Sequence, residues 1–352
     1  AWLCLALMLA AGIIAHHQKL SALLAVGILL LPATQYPATT WWSKPDLDRE
    51  YVLSLDVEHY FGNIQKMRKH LETDRQILWV TYYRNLYNAT HPSEINSPVS
   101  LSRNLLAWNQ PGTNGLILPV NPSASFLSIL FANELWFTLG DMTMAEHCAM
   151  LSMIFSPRNS GSRMIKRLAE INLVNGDDEA ALKYLRILDK TLLHKSWAEK
   201  RIPGQQTPQV KEWLEKKRRD IPTQDQLRSG NDAVTSLQNL VASNAGNLRA
   251  YEYLLCYHLL SKDLRSFVED YVPGKVSSPI FAEALLIHLA RQGNIRAEEL
   301  IKYQIPVEIA KEFADYTRLY EAKDTSLKEK YGKTYWFYYH FATTEPGKES
   351  KP

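Results

Sequence analysis

The stretch that most constrains the fold is Arg167–Leu185, in which two amphipathic segments flank one glycine. Apolar residues recur near helical spacing on both sides of Gly176, which predicts a helix that ends at this glycine and a second helix beyond it. Because a helical hairpin of this size cannot bury its apolar faces alone, it must stack on others like it. The sequence therefore predicts a helical-repeat protein, and this pattern indicates no particular reaction.

The same arrangement occurs earlier in the chain. A predicted helix, Phe126–Leu139, stops at Gly140, and Ala145 follows this glycine at the offset that separates Ala181 from Gly176. The spacing between the two glycines is close to the period of about 34 residues in tetratricopeptide repeats, which the arrangement resembles. Two less regular units follow, with predicted turns at 261–263 and 292–294.

No segment shows several alternating β-branched runs, so the predicted fold class is all-α. The expected architecture is an N-terminal membrane helical hairpin followed by a right-handed solenoid of tetratricopeptide-like helical repeats. The predicted domains are 1–42, a membrane-spanning helical hairpin truncated at its start; 43–120, a helical hairpin and turn-rich connector; 121–345, the helical-repeat domain; and 346–352, a disordered tail.

The membrane hairpin is predicted from two uncharged runs near the start of the chain. Residues 1–15 carry no charge, His16–Lys19 forms a polar break, and Leu20–Thr34 is again uncharged. Trp41 and Trp42 then resemble the aromatic anchors found at membrane interfaces. Each run is shorter than the roughly 20 residues of a spanning helix, although the second continues towards the tryptophans. A cleaved signal peptide and a soluble, buried hairpin of residues 1–40 are the alternatives.

Orientation follows from the polar break, which contains Lys19. The positive-inside tendency places such a loop in the cytoplasm, and the residues after Trp42 then lie outside the cytoplasmic membrane. The expected location is therefore a bacterial cytoplasmic membrane with an extracytoplasmic C-terminal domain.

Composition and motifs exclude several function classes. The chain has 40 basic and 37 acidic residues and a net charge of +3, which does not indicate a nucleic-acid partner. Cys4, Cys148 and Cys256 form no paired motif and are predicted to be buried apolar residues. We find no catalytic motif and no metal-ligand spacing, so no cofactor is predicted and catalysis is not assigned.

Several segments together resemble a known family. These are Arg103–Ala107, the unit around Gly140, Ser160–Glu170 and the terminal Thr334–Tyr339. They are similar to a domain-of-unknown-function family of bacterial multi-pass membrane proteins with a tetratricopeptide-like C-terminal region. The resemblance implies further membrane helices ahead of Ala1, and it supplies no catalytic residues.

Tetratricopeptide repeats bind partners on a concave surface that the first helix of each repeat lines. On this alignment, the predicted groove for a protein or peptide partner contains Asn133, Glu134, Arg163, Lys166, Glu170, Arg249, Glu252, Glu283 and Arg291. Mixed charges suit such a partner through ion pairs and hydrogen bonds.

The predicted function is a membrane-tethered scaffold for protein–protein interaction, anchored in the membrane through residues 1–42. The alternative is an accessory extracytoplasmic domain of a multi-pass membrane enzyme or transporter whose active site lies in N-terminal helices ahead of Ala1. A third possibility is a soluble helical-repeat regulator in which residues 1–40 form a core hairpin.

Overall fold

The computed structural model of the chain describes residues 44–73, 75, 77–91, 101–107, 112–121, 124–155, 161–223 and 232–342. The chain divides into two compact units, Ala1–Thr73 and Asp74–Pro352. The predicted membrane hairpin at 1–42 and the predicted tail at 346–352 lie outside the described residues.

The first unit contains helices α1 (Lys44–Tyr60) and α2 (Ile64–Leu71). Gly62, with a φ of 69°, turns the chain between them, a conformation that costs glycine little. Val52 and Leu55 of α1 are buried, as are Met67 and Leu71 of α2.

Every regular element in the described part of the second unit is a helix. Its helices are α3 (Leu78–Thr90), α4 (Leu101–Asn104), α5 (Phe126–Leu139), α6 (Met142–Ile154), α7 (Ser162–Asn175), α8 (Asp178–Asp189), α9 (Lys195–Glu199), α10 (Pro208–Arg218), α11 (Ala233–Ser243), α12 (Leu248–Leu260), α13 (Leu264–Asp270), α14 (Pro279–Arg291), α15 (Ala297–Lys302), α16 (Val307–Glu321), α17 (Leu327–Tyr331) and α18 (Tyr335–Phe341). The described residues contain no strand, and the all-α prediction is confirmed. Among the helices that the structure describes, none combines the length and the apolar character that crossing a bilayer requires.

One turn type joins α5 to α6 and α7 to α8. Gly140 and Gly176 end the first helices with φ values of 92° and 83°. The backbone N–H of the next residue, Asp141 or Asp177, donates to the carbonyl five residues earlier, at 3.0 and 2.9 Å. Each aspartate carboxylate then accepts from the N–H three residues later, at 2.8 and 3.0 Å. The first helix is thus closed and the second is capped within two residues.

The turn recurs later in the chain without glycine. Lys262, Gln304 and Lys323 hold positive φ values of 59°, 55° and 53°. In each case the following N–H again donates to the carbonyl five residues earlier, at 2.8 to 3.0 Å. Asp263 also caps α13 through the N–H of Ser266, at 3.0 Å. The hairpin geometry therefore continues where its glycine signal has been lost.

Packing follows chain order through the middle of this unit. Consecutive helices contact each other from α5 through to α9. Helix α10 then returns to pack on α7. Further on, α12 contacts α11 and α13, while α14 contacts α13, α16 and α18. The return of α10 brings side chains from distant parts of the sequence beside α7.

The aromatic helix α18 forms hydrogen bonds with the C-terminal end of α12. The hydroxyls of Tyr335 and Tyr338 donate to the carbonyls of Leu259 and Leu260 at 2.9 and 2.7 Å. Both carbonyls lie in the last turn of α12, where the intrahelical donors run out. The carbonyl of Leu259 also accepts from the backbone N–H of Lys262, at 3.0 Å. Packing of α18 against α14 and α12 thus buries apolar surface and also forms hydrogen bonds to backbone carbonyls.

Candidate functional site

Four charged side chains lie along α7 at spacings of three and four residues. Arg163, Lys166, Arg167 and Glu170 therefore share one side of the helix. Three cations, which donate through N–H groups, and one carboxylate, which accepts, are therefore presented together on one helix. Each of the four is partly buried rather than fully exposed.

Glu134 of α5 is the buried anion that organises this side of α7. Its side chain is only 8% exposed. Its two carboxylate oxygens accept from Arg163 at 2.8 Å and from Arg167 at 2.6 Å. Arg167 also reaches Glu170, at 3.0 Å. The two arginine side chains are thus held in fixed directions by charge-assisted hydrogen bonds.

Phe137, one turn after Glu134, supports two cations with its ring. The guanidinium carbon of Arg167 lies 3.8 Å from the ring centroid, and the ammonium of Lys217 lies 4.7 Å from it. The indole of Trp213 stacks on the same phenylalanine with centroids 6.3 Å apart. Aromatic faces attract cations through their quadrupoles, so this ring offsets part of the cost of gathering like charges.

Trp197 of α9 supports a second pair of cations. The ammonium of Lys166 is 5.1 Å from the indole centroid, and the guanidinium of Arg201 is 4.1 Å from it. Arg201 also donates to the carbonyl of Trp197 at 3.2 Å and lies 6.0 Å from the ring of Trp213. The cation-bearing surface therefore continues from α7 onto α9 and α10.

Arg218 explains why α10 docks beside α7. Its guanidinium donates to the carbonyls of Leu173 and Val174 at 2.7 and 3.0 Å. These are carbonyls of the last turn of α7, where a cation also interacts favourably with the helix dipole. Lys217, the preceding residue, lies 3.5 Å from the carbonyl of Phe137.

We call the five cations Arg163, Lys166, Arg167, Arg201 and Lys217 the arginine–lysine cluster. Three carboxylates interact with these cations, Glu134, Glu170 and Asp220, and Asp220 also pairs with Arg249 at 3.2 Å. The cluster therefore carries excess positive charge. Burial lowers the pKa of Lys166 and of Arg201. Burial, reinforced by Arg167, lowers the pKa of Lys217 to about 8. An anion placed here would relieve both the repulsion and the lost hydration.

The lowered pKa of Lys217 predicts an unusual pH dependence of stability. The unfolded chain keeps this lysine protonated up to its ordinary pKa of 10.5, whereas the folded chain releases the proton near pH 8. Between these values the unfolded state binds more protons, so the free energy of unfolding should rise with pH across that window. Denaturant unfolding at about pH 7 and about pH 10 should show a larger rise in the parent than in Lys217→Met, which keeps only the contribution of other groups such as Lys166. Lys200→Met, which removes an exposed lysine, is the control and should behave like the parent; equal pH responses of the two variants would contradict the prediction.

The chemistry that this arrangement supports is anion binding. Guanidinium groups bind carboxylates or phosphates through two parallel N–H donors, and lysines add point charges. Aromatic faces beside the cations offer apolar contact to the rest of a ligand. The described part of the chain contains no group of three or more histidine, cysteine, aspartate or glutamate side chains that could hold a metal ion.

The remaining predicted groove residues form structural contacts elsewhere. Asn133 is fully buried and donates to the carbonyl of Ala145 at 2.6 Å, which joins α5 to α6. Arg249 donates to the carbonyl of Ala89 at 3.1 Å and to a carboxylate oxygen of Asp220 at 3.2 Å. Both side chains therefore connect elements of the fold.

Two predicted carboxylates are also engaged in the interior. Glu252 is buried and accepts from the N–H and the hydroxyl of Ser102, each at 2.8 Å. Glu283 accepts from the N–H of Tyr335 at 2.5 Å, and burial raises its pKa to about 7. Arg291 donates to the hydroxyl of Tyr339 at 2.7 Å.

Of the nine predicted residues, the structure brings together Glu134, Arg163, Lys166 and Glu170, and it distributes the other five over separate contacts. Sequence reasoning missed Arg167, Arg201 and Lys217 and the aromatic side chains beneath them. Arg167 had a usable signal, because it lies four residues after Arg163 on one helix. Lys217 lies in the basic run Lys211–Arg219, which the sequence alone does not distinguish from a solvated helix end. Arg201 had no signal, since its place depends on how α9 and α10 pack.

Comparison with known proteins gives one match. A model of a family of unknown function, DUF6057, matches residues 1–342. No curated protein and no solved structure matches the chain.

Proposed function

Because the chain belongs to the family of unknown function DUF6057, we propose its role from its own surface: a membrane-tethered helical-repeat scaffold that binds an acidic segment of a protein partner at the arginine–lysine cluster. The membrane part rests on the two uncharged runs and the tryptophan pair within residues 1–42. The charge of Lys19 between the runs favours an extracytoplasmic position for the helical domain.

The recurring helical turns support the repeat part of the proposal. Several helices between Gly140 and Lys323 end in the same way. A residue with positive φ is followed by an N–H that donates to the carbonyl five residues earlier. Helices α5 to α9 pack in chain order, as the units of a tetratricopeptide-type solenoid do. Such arrays act in general by presenting an extended surface to a partner rather than by catalysis.

The observation that carries the binding part is the arginine–lysine cluster. Five cations converge from α7, α10 and the residues that follow α9, and three aromatic rings hold them in place. Glu134 and Glu170 pair with the arginines of α7. Their ordering and partial desolvation are already built into the fold. An acidic ligand therefore meets donors that need little rearrangement, which favours affinity and specificity.

A peptide-binding measurement tests the proposal. We expect a fluorescein-labelled peptide of alternating glutamate and alanine to bind the full chain in anisotropy titrations at low salt. The corresponding lysine–alanine peptide should not bind, because it repeats the charge of the surface. Affinity for the acidic peptide should fall with added salt, as expected for partly exposed charges.

Paired variants localise the binding. Lys166→Gln combined with Arg201→Gln should weaken the acidic peptide about tenfold or more, or about 1.4 kcal/mol. Lys311→Gln combined with Lys328→Gln removes two exposed lysines outside the cluster and should leave the affinity unchanged. If the first pair binds as tightly as the second, the cluster is not the binding surface.

The uncharged runs in residues 1–42 favour a second candidate, an accessory extracytoplasmic domain of a multi-pass membrane enzyme or transporter. In that case any catalytic or transport activity should track substitutions in the membrane segment. Loss of peptide binding in the Lys166→Gln, Arg201→Gln variant would then leave that activity intact.

A further inference from the structure

The turn between α8 and α9 exposes two adjacent leucines. Leu192 is 98% exposed and Leu193 is 86% exposed. The next most exposed large apolar side chain among the described residues is Ile301, at 77%. Nearly complete exposure of two neighbouring leucines means that both protrude from the surface, and water solvates them at a free-energy cost. Paired, protruding apolar residues of this kind mark interaction sites more often than single exposed ones do.

The leucines are held out by an ordered turn. The hydroxyl of Thr191 donates to the carbonyl of Leu188 at 2.7 Å and accepts from the N–H of His194 at 3.1 Å. The backbone N–H of Lys195 donates to the carbonyl of Thr191 at 3.2 Å. His194 also contacts the hydroxyl of Ser162 at 3.2 Å, which fastens the turn to the start of α7. Their exposure is therefore a property of the folded turn.

Positive charge surrounds this tip. Within residues 183–200, five exposed cations accompany two exposed carboxylates. The cations are Lys183, Arg186, Lys190, Lys195 and Lys200, and the carboxylates are Asp189 and Glu199. Glu199 is paired with Lys195 at 4.0 Å, with both side chains largely exposed. The turn thus presents two exposed leucines beside five exposed cations, which we call the cationic collar.

We infer that the turn at 191–194 docks on a bilayer of anionic phospholipid, with Leu192 and Leu193 entering the acyl boundary and the surrounding lysines and arginines meeting the headgroups. An interface of this kind buries a short apolar tip without needing a shaped pocket. Each basic side chain near the surface gains from the negative potential of the headgroups. A symmetric dimer through the same tip is disfavoured, because it would bring two cationic collars together.

The turn and the proposed peptide surface share no residue, although they are neighbours: burial, and then the charge of Lys166, lower the pKa of His194. The inference goes beyond a tether in residues 1–42 by placing a second contact with lipid on the helical domain itself. The consequence is that the domain would lie against the membrane rather than be held away from it.

A local fluorescence measurement on the full chain tests the inference. Leu192→Cys in a Cys4→Ser background carries an environment-sensitive dye, while Cys148 and Cys256 are buried. The protein is reconstituted in phosphatidylcholine vesicles with or without phosphatidylglycerol. We expect a blue shift and quenching by bilayer-embedded quenchers only when phosphatidylglycerol is present. The same dye at Ile301→Cys, an exposed apolar position on α15, should show neither.

Charge and apolar variants separate the two contributions. Lys190→Gln and Lys195→Gln should each lower the docking equilibrium about fivefold, and Leu193→Asp should abolish the shift at position 192. Lys311→Gln, the matched exposed lysine, should change nothing. Equal spectra at positions 192 and 301 would overturn the inference, as would an equal shift in vesicles of phosphatidylcholine alone. A shift that grows with protein density at constant lipid would assign the tip to a second copy, and one that requires an added protein would assign it to that protein.

Discussion

Gly140→Ala should lower the free energy of unfolding by about 2–4 kcal/mol, whereas Gly176→Ala should lower it by about 1 kcal/mol. Both glycines hold a positive φ at the same position of equivalent turns, so both variants incur backbone strain. At Gly140, a Cβ atom would also lie 2.3 Å from the backbone oxygen of Asp220. At Gly176, no atom lies within 4 Å of the corresponding position. The difference between the variants measures the collision alone.

Denaturant unfolding of the two alanine variants checks this prediction. The added Cβ atom would collide with the backbone of Asp220, just after α10. Rotation of a side chain cannot relieve this collision, because the backbone itself would have to move. Asn247 donates to the carbonyls of Leu139 and Asp220, each at 2.7 Å, and so holds the two segments together. Equal losses at positions 140 and 176 would mean that the chain after α10 does not approach the α5–α6 turn.

Replacing the buried carboxylate of the arginine–lysine cluster should have an effect of similar size. Glu134→Gln should lower the free energy of unfolding by about 3 kcal/mol, because it leaves Arg163 and Arg167 together without their shared anion. The glutamine retains the shape of the side chain, so the loss reports charge rather than packing. Thermal or denaturant unfolding gives the value directly.

A surface ion pair of similar length provides the control. Arg265 and Glu269 also approach to 2.9 Å, but their side chains are 88% and 60% exposed. Glu269→Gln should therefore cost much less than Glu134→Gln, because solvent screens exposed pairs. If Glu134→Gln is as mild as Glu269→Gln, then Glu134 does not organise the cluster.

Local features of the fold were predictable from the sequence. Gly140 and Gly176 end their helices where helical periodicity breaks, and both turns are in the structure. Even the turn at 261–263 was predicted, although Lys262 rather than a glycine holds the positive φ there. Helix periodicity and termination act over a few residues, so a single sequence carries their signals.

The faces of the later helices were less predictable. Periodicity assigned Glu252 and Glu283 to a solvent-facing groove, yet the structure joins Glu252 to Ser102 and Glu283 to Tyr335. Both partners are far away along the chain. Polarity alone favours exposure for a glutamate, and only the packing of α4 and α18 supplies the donors that make burial tolerable.

By itself, the sequence determined that this chain is all-α, where most hairpin turns fall, and that α7 carries Arg163, Lys166 and Glu170 on one side. The tertiary structure alone decided that Arg201 and Lys217 join them, because α10 returns to α7 and Arg218 binds its last carbonyls. The physical reason is range. Helices form through contacts within one or two turns, whereas a charged cluster of this kind requires elements far apart in sequence to pack together.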